Sequence, residues 1–390
     1  MAGAVQDSFQ GFVREDGTAG VRNHLLVLST GGLTGRTARR IGASLAGAVV
    51  VTLPYSGGLL GRDKALHEAA VLRLATHPNV GAALIVGDNP VLMAAVLEKL
   101  ARNGRPHAGL TLDDCGHDAL TLTDRGIRAG AALAMRISAQ RRRTVPAAAL
   151  GLGLECGRSD PSSGLVANPL LGQISDWLVD AGGSAIIGET LEWLGAEHLL
   201  AARARNSAAA DAVRSAVLQR ERVAVDAGLD LTGSNPTPTN IAAGLSSIEE
   251  KSLGNIAKSG TRPIEGVLDY GAPPPRPGMW TMDAAAYAPE SVTGFVLAGA
   301  QMMLFTTGVG NSYVSALAPT LKITANPRTA AALSQQFDFD AAAAFSGARG
   351  LEETAADLRA RILAVASGTA TWGEILKEGD EVLSRFGPAL

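Results

Sequence analysis

Short apolar runs separated by stretches of helical character recur along the whole chain, and that alternation restricts it to a parallel sheet with crossover helices. The runs His24 to Ser29, Ala48 to Leu53, Ala82 to Val86, Ala108 to Leu112 and Ala147 to Leu152 are too short for buried helices and read as strands. Helices are predicted between them over Arg36 to Leu45, Asp63 to Ala75, Pro90 to Arg102 and Leu120 to Arg142. The last closes on Arg141, Arg142 and Arg143, cations that suit a solvated helix C-terminus. A second series predicts strands at Ser184 to Gly188, Ile264 to Asp269, Met302 to Thr306 and Thr320 to Thr324. Its helices fall at Pro169 to Ala181, Ala196 to Arg205, Ala208 to Ala227, Ser291 to Ala300, Arg328 to Gln336 and Glu352 to Ser367. Within the second series, after Ala208 to Ala227, Leu229 to Asn240 carries Gly, Asn and Pro at a spacing that prevents regular structure, so an ordered loop is expected. The fold class is therefore α/β: two Rossmann-like units with mainly parallel sheets, the first over residues 1–146 and the second over 147–390.

Two units also suit the length of 390 residues, since single cores stop growing near about 250–300 residues. A net charge of −3 gives no general pull toward nucleic acid or anionic membranes, and 4% aromatic residues leave little to build base-stacking platforms. No apolar run approaches the roughly 20 residues of a membrane span, and the N-terminus lacks a basic region followed by a hydrophobic one. A cytoplasmic location is expected. Two cysteines, Cys115 and Cys156, cannot supply the usual four thiolates of an iron–sulfur cluster, so no cluster is expected.

In α/β sheets ligands bind beyond the carboxyl ends of the strands. The loop after Ala147 to Leu152 runs Glu155-Cys156-Gly157-Arg158-Ser159-Asp160-Pro161 and on to Asn168, packing acid, thiol, cation, hydroxyl and amide together. Glu155 and Asp160 are candidate acid–base groups, and Lys251 becomes a candidate base if desolvated. Cys156 is a candidate metal ligand, as is His117 beside Asp113, Asp114 and Cys115. Oxygen ligands would favour magnesium or manganese and a thiolate with histidine would favour iron or zinc, so a single divalent ion is the expected cofactor. Thr30-Gly31-Gly32-Leu33-Thr34-Gly35 and Thr306-Thr307-Gly308-Val309-Gly310-Asn311 follow strands, and their successive backbone N–H groups can hold a carboxylate. Gly31, Gly32, Thr307, Gly308 and Gly310 are thus candidate substrate contacts, together with Arg158, Ser159 and Asn168. Bland readings stand beside these: the acids can be loop acceptors, the lysine a helical ion-pair partner, and the glycine turns empty.

The motif order carries more. Gly11-Phe12-Val13-Arg14, Asp16-Gly17 and Gly20-Val21-Arg22-Asn23 open a series that continues through the Cys156 loop. It goes on through Gly233-Ser234-Asn235-Pro236-Thr237-Pro238-Thr239-Asn240, Ile248-Glu249-Glu250-Lys251-Ser252-Leu253-Gly254 and Lys258-Ser259-Gly260-Thr261, to Phe305-Thr306-Thr307-Gly308-Val309-Gly310. This series resembles the altronate/galactarate dehydratase family, which also includes sulfolactate sulfo-lyases. The resemblance implies a hydro-lyase that converts a sugar acid or related hydroxy acid to a 2-keto-3-deoxy acid, with Arg22 and Asn23 among the substrate contacts. It leaves two alternatives: a carbon–sulfur lyase acting on a sulfonated hydroxy acid, and a non-catalytic binding or assembly subunit. The last arises because the family's further cysteines are replaced here, at Tyr55-Ser56-Gly57-Gly58 and Val86-Gly87-Asp88-Asn89 for example. Arg158 likewise stands where the family usually has glycine. The partners implied are a small anionic hydroxy acid, a small subunit like the family's N-terminal domain, and further copies of the chain.

Overall fold

The computed structural model describes residues 7–231 and 235–387. Thr232, Gly233 and Ser234 of the expected Leu229 to Asn240 loop, and both chain ends, lie outside the described residues. The described residues form two compact units: a smaller one built on 10–145 with 316–318 and 379–387, and a larger one built on 146–231, 235–315 and 319–378 with residues 7–9. Among the described residues no helix is long and apolar enough to cross a membrane.

Strands of the smaller unit are β1 (Ser8–Val13), β2 (Ala19–Gly20), β3 (His24–Ser29), β4 (Ala48–Thr52), β5 (Val80–Gly87), β6 (His107–Thr111) and β7 (Arg143–Pro146). A parallel four-stranded sheet runs in the order β4-β3-β5-β6, and β2-β1-β7 make a second small sheet. Every residue of β5 is buried, the pattern of a central parallel strand covered on both faces. Its helices are α1 (Gly35–Ala43), α2 (Gly61–Ala75), α3 (Pro90–Arg102) and α4 (Ala119–Ser138). Val27, Ile41, Leu84, Val86 and Leu122 form its core. The helix expected to reach Arg142 stops at Ser138, because Arg142 is needed elsewhere. Its guanidinium donates to the carbonyls of Gln10 (2.6 Å) and Val21 (3.0 Å) and lies 4.6 Å over the Phe12 ring.

The larger unit contains β8 (Gly151–Cys156), β9 (Ser184–Ile187), β10 (Ile264–Leu268), β11 (Gly278–Met282), β12 (Met302–Thr306), β13 (Thr320–Thr324) and β14 (Phe339–Asp340). They form a seven-stranded sheet in the order β10-β11-β9-β8-β12-β13-β14, with parallel pairing throughout. From β8 the chain winds to one side through β9, then returns to the other side at β12. Strand order therefore reverses between β8 and β12, the place where sheets of this kind leave a crevice. Helices α5 (Asn168–Asp180), α6 (Glu197–Ala202), α7 (Ser207–Asp226), α8 (Pro238–Ala242), α9 (Ile248–Ala257) and α10 (Ala288–Leu297) follow. Helix α10 packs on β8, and α5 packs on β9 and against α9.

The α/β class with parallel sheets is as the sequence predicts. Strand β8 differs in position: Ala147–Ala149 make a turn of 3-10 helix, so the strand starts at Gly151 and runs on through Glu155 and Cys156. Those two side chains are consequently fixed by the sheet. Strand β11 was not legible, since Gly278–Met282 follows a proline-rich stretch and reads as irregular; it is ordered by parallel partners on both sides.

Candidate active site

Cys156 ends β8 and Thr306 ends β12, its parallel partner across the switch point. Just past β9, Glu189 and Glu192 turn back toward Cys156. One sulfur and one oxygen from each carboxylate lie within 4.8 Å of one another, all three residues being buried. Glu189 sits at φ +61, a left-handed conformation costly for a residue with a side chain and common at functional sites. Lys258, just beyond α9, is fully buried and reaches Cys156 Sγ at 3.1 Å and Glu189 Oε2 at 3.8 Å. Lys251, on α9, pairs with Glu192 at 2.6 Å and donates to Asn235 Oδ1 at 2.7 Å. Asn255, one helical turn on, donates to the other oxygen of Glu192 at 3.1 Å. Helix α9 and the residue that caps it thus bring three polar groups to one acidic cluster.

Low dielectric governs the protonation of this cluster. Burial, reinforced by the charges of Glu155 and Glu192, pushes the Glu189 carboxyl well above the usual carboxylate range. Burial raises the Cys156 thiol as well, against the pull of Lys258. Burial would discharge Lys258, but the charges of Cys156, Glu155 and Glu189 outweigh it and hold the ammonium above its ordinary value. Lys251 is held up in the same way, burial being overcome by Glu192 and then Glu189. Cys156, Glu155, Glu189 and Glu192 face two lysines, so a divalent ion would enter by displacing the protons of the thiol and of Glu189. The mixed thiol and carboxylate donors of Cys156, Glu189 and Glu192 fit a divalent ion and could hold one.

These groups open onto a cavity of about 290 Å³, at the lower end of the range for small-molecule sites. Its lining includes Cys156, Arg158, Ser159, Glu189, Glu192, Asn240, Lys251 and Tyr313. Ser159 Oγ is buried there with no partner among the described residues. Asn240 donates to the Ser159 carbonyl at 2.9 Å and fixes that wall. Arg158 has φ +53, and its carbonyl accepts from Gly308 N (3.2 Å) and Val309 N (3.3 Å), joining the loops that follow β8 and β12.

Of the residues singled out from sequence, Cys156, Arg158, Ser159 and Lys251 line this pocket. Glu155 lies beneath it, fully buried, with Oε1 accepting from Cys156 N at 3.0 Å. Asp160 braces the loop: Oδ1 accepts from Ser162 Oγ (2.6 Å) and Ser163 N (3.0 Å), and Oδ2 from Asn326 Nδ2 (2.7 Å). Gly308 passes so close that a Cβ there would fall 2.2 Å from Asp160 Cγ, so glycine is required by approach. Asn168 is likewise engaged, accepting from Thr306 Oγ1 at 2.5 Å and donating to Gly254 O at 2.9 Å. Thr307 Oγ1 accepts from Gly310 N at 3.0 Å, closing the glycine turn on itself.

Arg22, Asn23, Gly31, Gly32 and His117 belong to the smaller unit. There Arg22 donates to the Val21 carbonyl (2.8 Å), and Asn23 accepts from Arg14 (2.7 Å) and donates to Ile137 O (3.2 Å). The carbonyl of Gly31 accepts from Ser29 Oγ at 2.8 Å, and that of Gly32 from Gly35 N at 3.4 Å. His117 is exposed and faces Asp113 at 3.5 Å, while Cys115 is buried near Arg125.

Sequence reasoning missed Glu189, Glu192 and Lys258 as site residues. The first two carried a usable signal, for they directly follow a predicted strand, where α/β sites are built. Lys258 had none beyond its motif, because its burial beside Cys156 depends on how α9 packs.

A buried thiol, carboxylates and lysines at the switch point of an all-parallel sheet make this an α/β protein with a candidate active site at the carboxyl edge of its larger sheet. The chain belongs to the D-galactarate/altronate dehydratase family: residues 147–389 match the model described as D-galactarate/altronate dehydratase, C-terminal. Residues 11–138 match that of the D-galactarate dehydratase/altronate hydrolase second domain. The chain is 32% identical to the (2R)-sulfolactate sulfo-lyase subunit beta of Chromohalobacter salexigens over 97% of each chain. It is 32% identical to the altronate dehydratase of Bacillus subtilis, covering 86% of this chain and 69% of that one. Identity to the Escherichia coli altronate dehydratase is 30%, over 87% and 70% of the two chains.

Proposed function

We propose that the protein is a hydro-lyase that removes water from a small polyhydroxy acid to give a 2-keto-3-deoxy acid. The observation that carries this reading is the meeting of Glu189, Glu192, Lys251 and Cys156 in one pocket at the switch point. Elimination next to a carboxylate needs a base for the C2 proton, a cation for the charge left behind and an acid for the departing hydroxyl. Glu192 is placed to take the proton. Lys251, 2.6 Å from it, holds the negative charge that develops on the substrate carboxylate. Glu189, kept protonated by burial and its acidic neighbours, supplies the proton with which the C3 hydroxyl leaves as water. The enol so formed tautomerises to the keto acid. A divalent ion held by Cys156, Glu189 and Glu192 would supply Lewis acidity to the leaving hydroxyl in place of the Glu189 proton. Lys258 keeps the thiol and Glu189 in place, while Asp160 and Asn168 act as braces.

A second reading, elimination of sulfite from a sulfonated hydroxy acid, is favoured by the full-length match to a sulfo-lyase subunit. That relative's designation as a subunit also supports a second polypeptide as partner. The deciding experiment is a keto-acid assay across aldonates, aldarates and sulfolactate. It is run with magnesium, manganese or ferrous iron, with and without a small N-terminal-type subunit. Product from a sugar acid is expected. Product only from sulfolactate transfers the assignment to sulfite elimination, and no product in any arm leaves a non-catalytic subunit.

A further inference from the structure

The smaller unit has a switch point of its own. From β3 the chain goes to β4 on one side and then crosses to β5 on the other, so strand order reverses between β3 and β5. A cavity of about 230 Å³ lies at this carboxyl edge, its lining including Ser56, Leu59, Lys64, His67, Asn89 and Leu92. Two of these groups have their protons committed elsewhere. His67, on α2, is 4% exposed, and its Nε2 lies 3.1 Å from the carbonyl of Thr30, just past β3. A carbonyl only accepts, so Nε2 carries the hydrogen, and burial keeps the ring neutral by lowering its pKa. Nδ1 is left as an acceptor with no donor among the described residues. Ser56 Oγ donates to Asp88 Oδ2 at 3.3 Å, which leaves only its lone pairs for the cavity. Gly31 makes room for that bond, since a Cβ there would fall 2.4 Å from Ser56 Oγ. Asn89 is fixed in the opposite sense. Its Oδ1 caps α3 by accepting from Val91 N (3.1 Å) and Leu92 N (3.0 Å), so its Nδ2 is the group free to donate. Lys64 adds a second donor, held by Glu68 only at 4.0 Å.

We infer that this cavity is a second small-molecule site and binds a neutral polyol, whose hydroxyls donate to His67 Nδ1 and Ser56 Oγ and accept from Asn89 Nδ2 and Lys64. An anion brings only acceptors and would set lone pair against lone pair at His67 and Ser56. An ammonium group brings only donors and would meet the charge of Lys64. A hydroxyl does both, while Leu59 and Leu92 cover the C–H faces of the ligand. The volume falls below the roughly 300 Å³ at which sites for drug-sized ligands begin, so the polyol is short or is a single sugar ring. A free sugar alcohol and the ribose of a nucleoside both present this chemistry. Every residue involved belongs to the smaller unit, so binding here needs nothing from the elimination chemistry above.

The test is calorimetric titration of the full chain with ribitol, adenosine, butan-1-ol and butyrate, repeated on S56A and H67F. Ribitol or adenosine should bind at least about tenfold more tightly than butan-1-ol, because a site built to receive several hydroxyls discriminates against their loss. Each variant should weaken that binding at least about fivefold, one acceptor being removed. H67F keeps a ring of similar size without the nitrogen, and S56A, in a half-buried loop, decides the matter should H67F fail to fold. The tighter of ribitol and adenosine identifies the source of the hydroxyls. No binding of either polyol, or binding that S56A leaves unchanged, overturns the inference. Butyrate binding that S56A abolishes overturns it as well, by making this an anion site.

Discussion

Lys322→Met should make the protein more stable at neutral pH. Lys322 lies on β13 beside Phe305 of β12, which in turn pairs with Glu155 of β8, so the three side chains form a row across the sheet. The residue is 2% exposed and no group among the described residues accepts from its Nζ, which stands 3.5 Å from the centroid of the Phe305 ring. Burial depresses its pKa from 10.5 to about 7, the distant charges of Glu378, Asp338 and Glu155 failing to compensate. The unfolded chain binds the proton more tightly than the native one, so this lysine costs stability below pH 7, and the cost disappears as pH rises toward 10.5. The difference amounts to about 5 kcal/mol, from which a desolvated cation–π contact with Phe305 recovers about 2 kcal/mol. Methionine fills similar volume without the amine, so K322M should gain about 3 kcal/mol at pH 6.5. At about 2–4 °C per kcal/mol, that is roughly 6–12 °C in Tm. Denaturant titrations of both proteins at pH 6.5, 8 and 9.5 measure it, with the gap narrowing at each step. A variant that is less stable than the parent, or a gap independent of pH, would refute the argument. A more stable but less active variant would show that the buried amine is retained for the reaction.

Other outcomes follow from the same physical terms. Lys258→Met leaves Cys156 and Glu189 without their buried cation and should cost about 3–5 kcal/mol, read by denaturant titration; a loss below about 1 kcal/mol would contradict the charge balance described above. Cys156→Ala and Glu189→Gln should each weaken binding of manganese or ferrous iron at least about tenfold by calorimetry, since each removes a donor; unchanged affinity would place the ion elsewhere. Asp160→Asn should lower stability by about 1–3 kcal/mol through lost bonds to Ser162, Ser163 and Asn326, with any fall in turnover following from the displaced loop. Burial lowers the pKa of His67, whose Nε2 contacts the Thr30 carbonyl at 3.1 Å. The folded state then binds the proton less tightly than the unfolded one, so its contribution is intact above about pH 6.5 and is lost on acidification. His67→Asn should flatten the fall in stability between pH 6.5 and 5, and an unchanged profile would exclude this histidine as its source.

The alternation of short apolar runs with helical stretches determined the class of fold by itself, because each run is a buried parallel strand whose pattern depends on nothing remote. Strands β3, β12 and β13 fall where hydrophobicity alone puts them. The Cys156 loop could be located for the same reason: polar and glycine residues directly after an apolar strand have to emerge at the carboxyl edge of a sheet. The sequence alone could not separate ligands from braces. Asp160 and Asn168 look as chemical as Glu189 and Glu192, yet the first pair spends its oxygens on Ser162, Asn326 and Thr306. Glu189 and Glu192 are drawn from a different crossover and meet Cys156 only because β9 lies next to β8. Lys258 acquires its role when α9 packs against α5 and carries an amine into a space that excludes water. Local pattern fixes which segments are strands and helices, whereas charge state and partnership depend on burial and on which strand lies beside which, and those are properties of the assembled sheet.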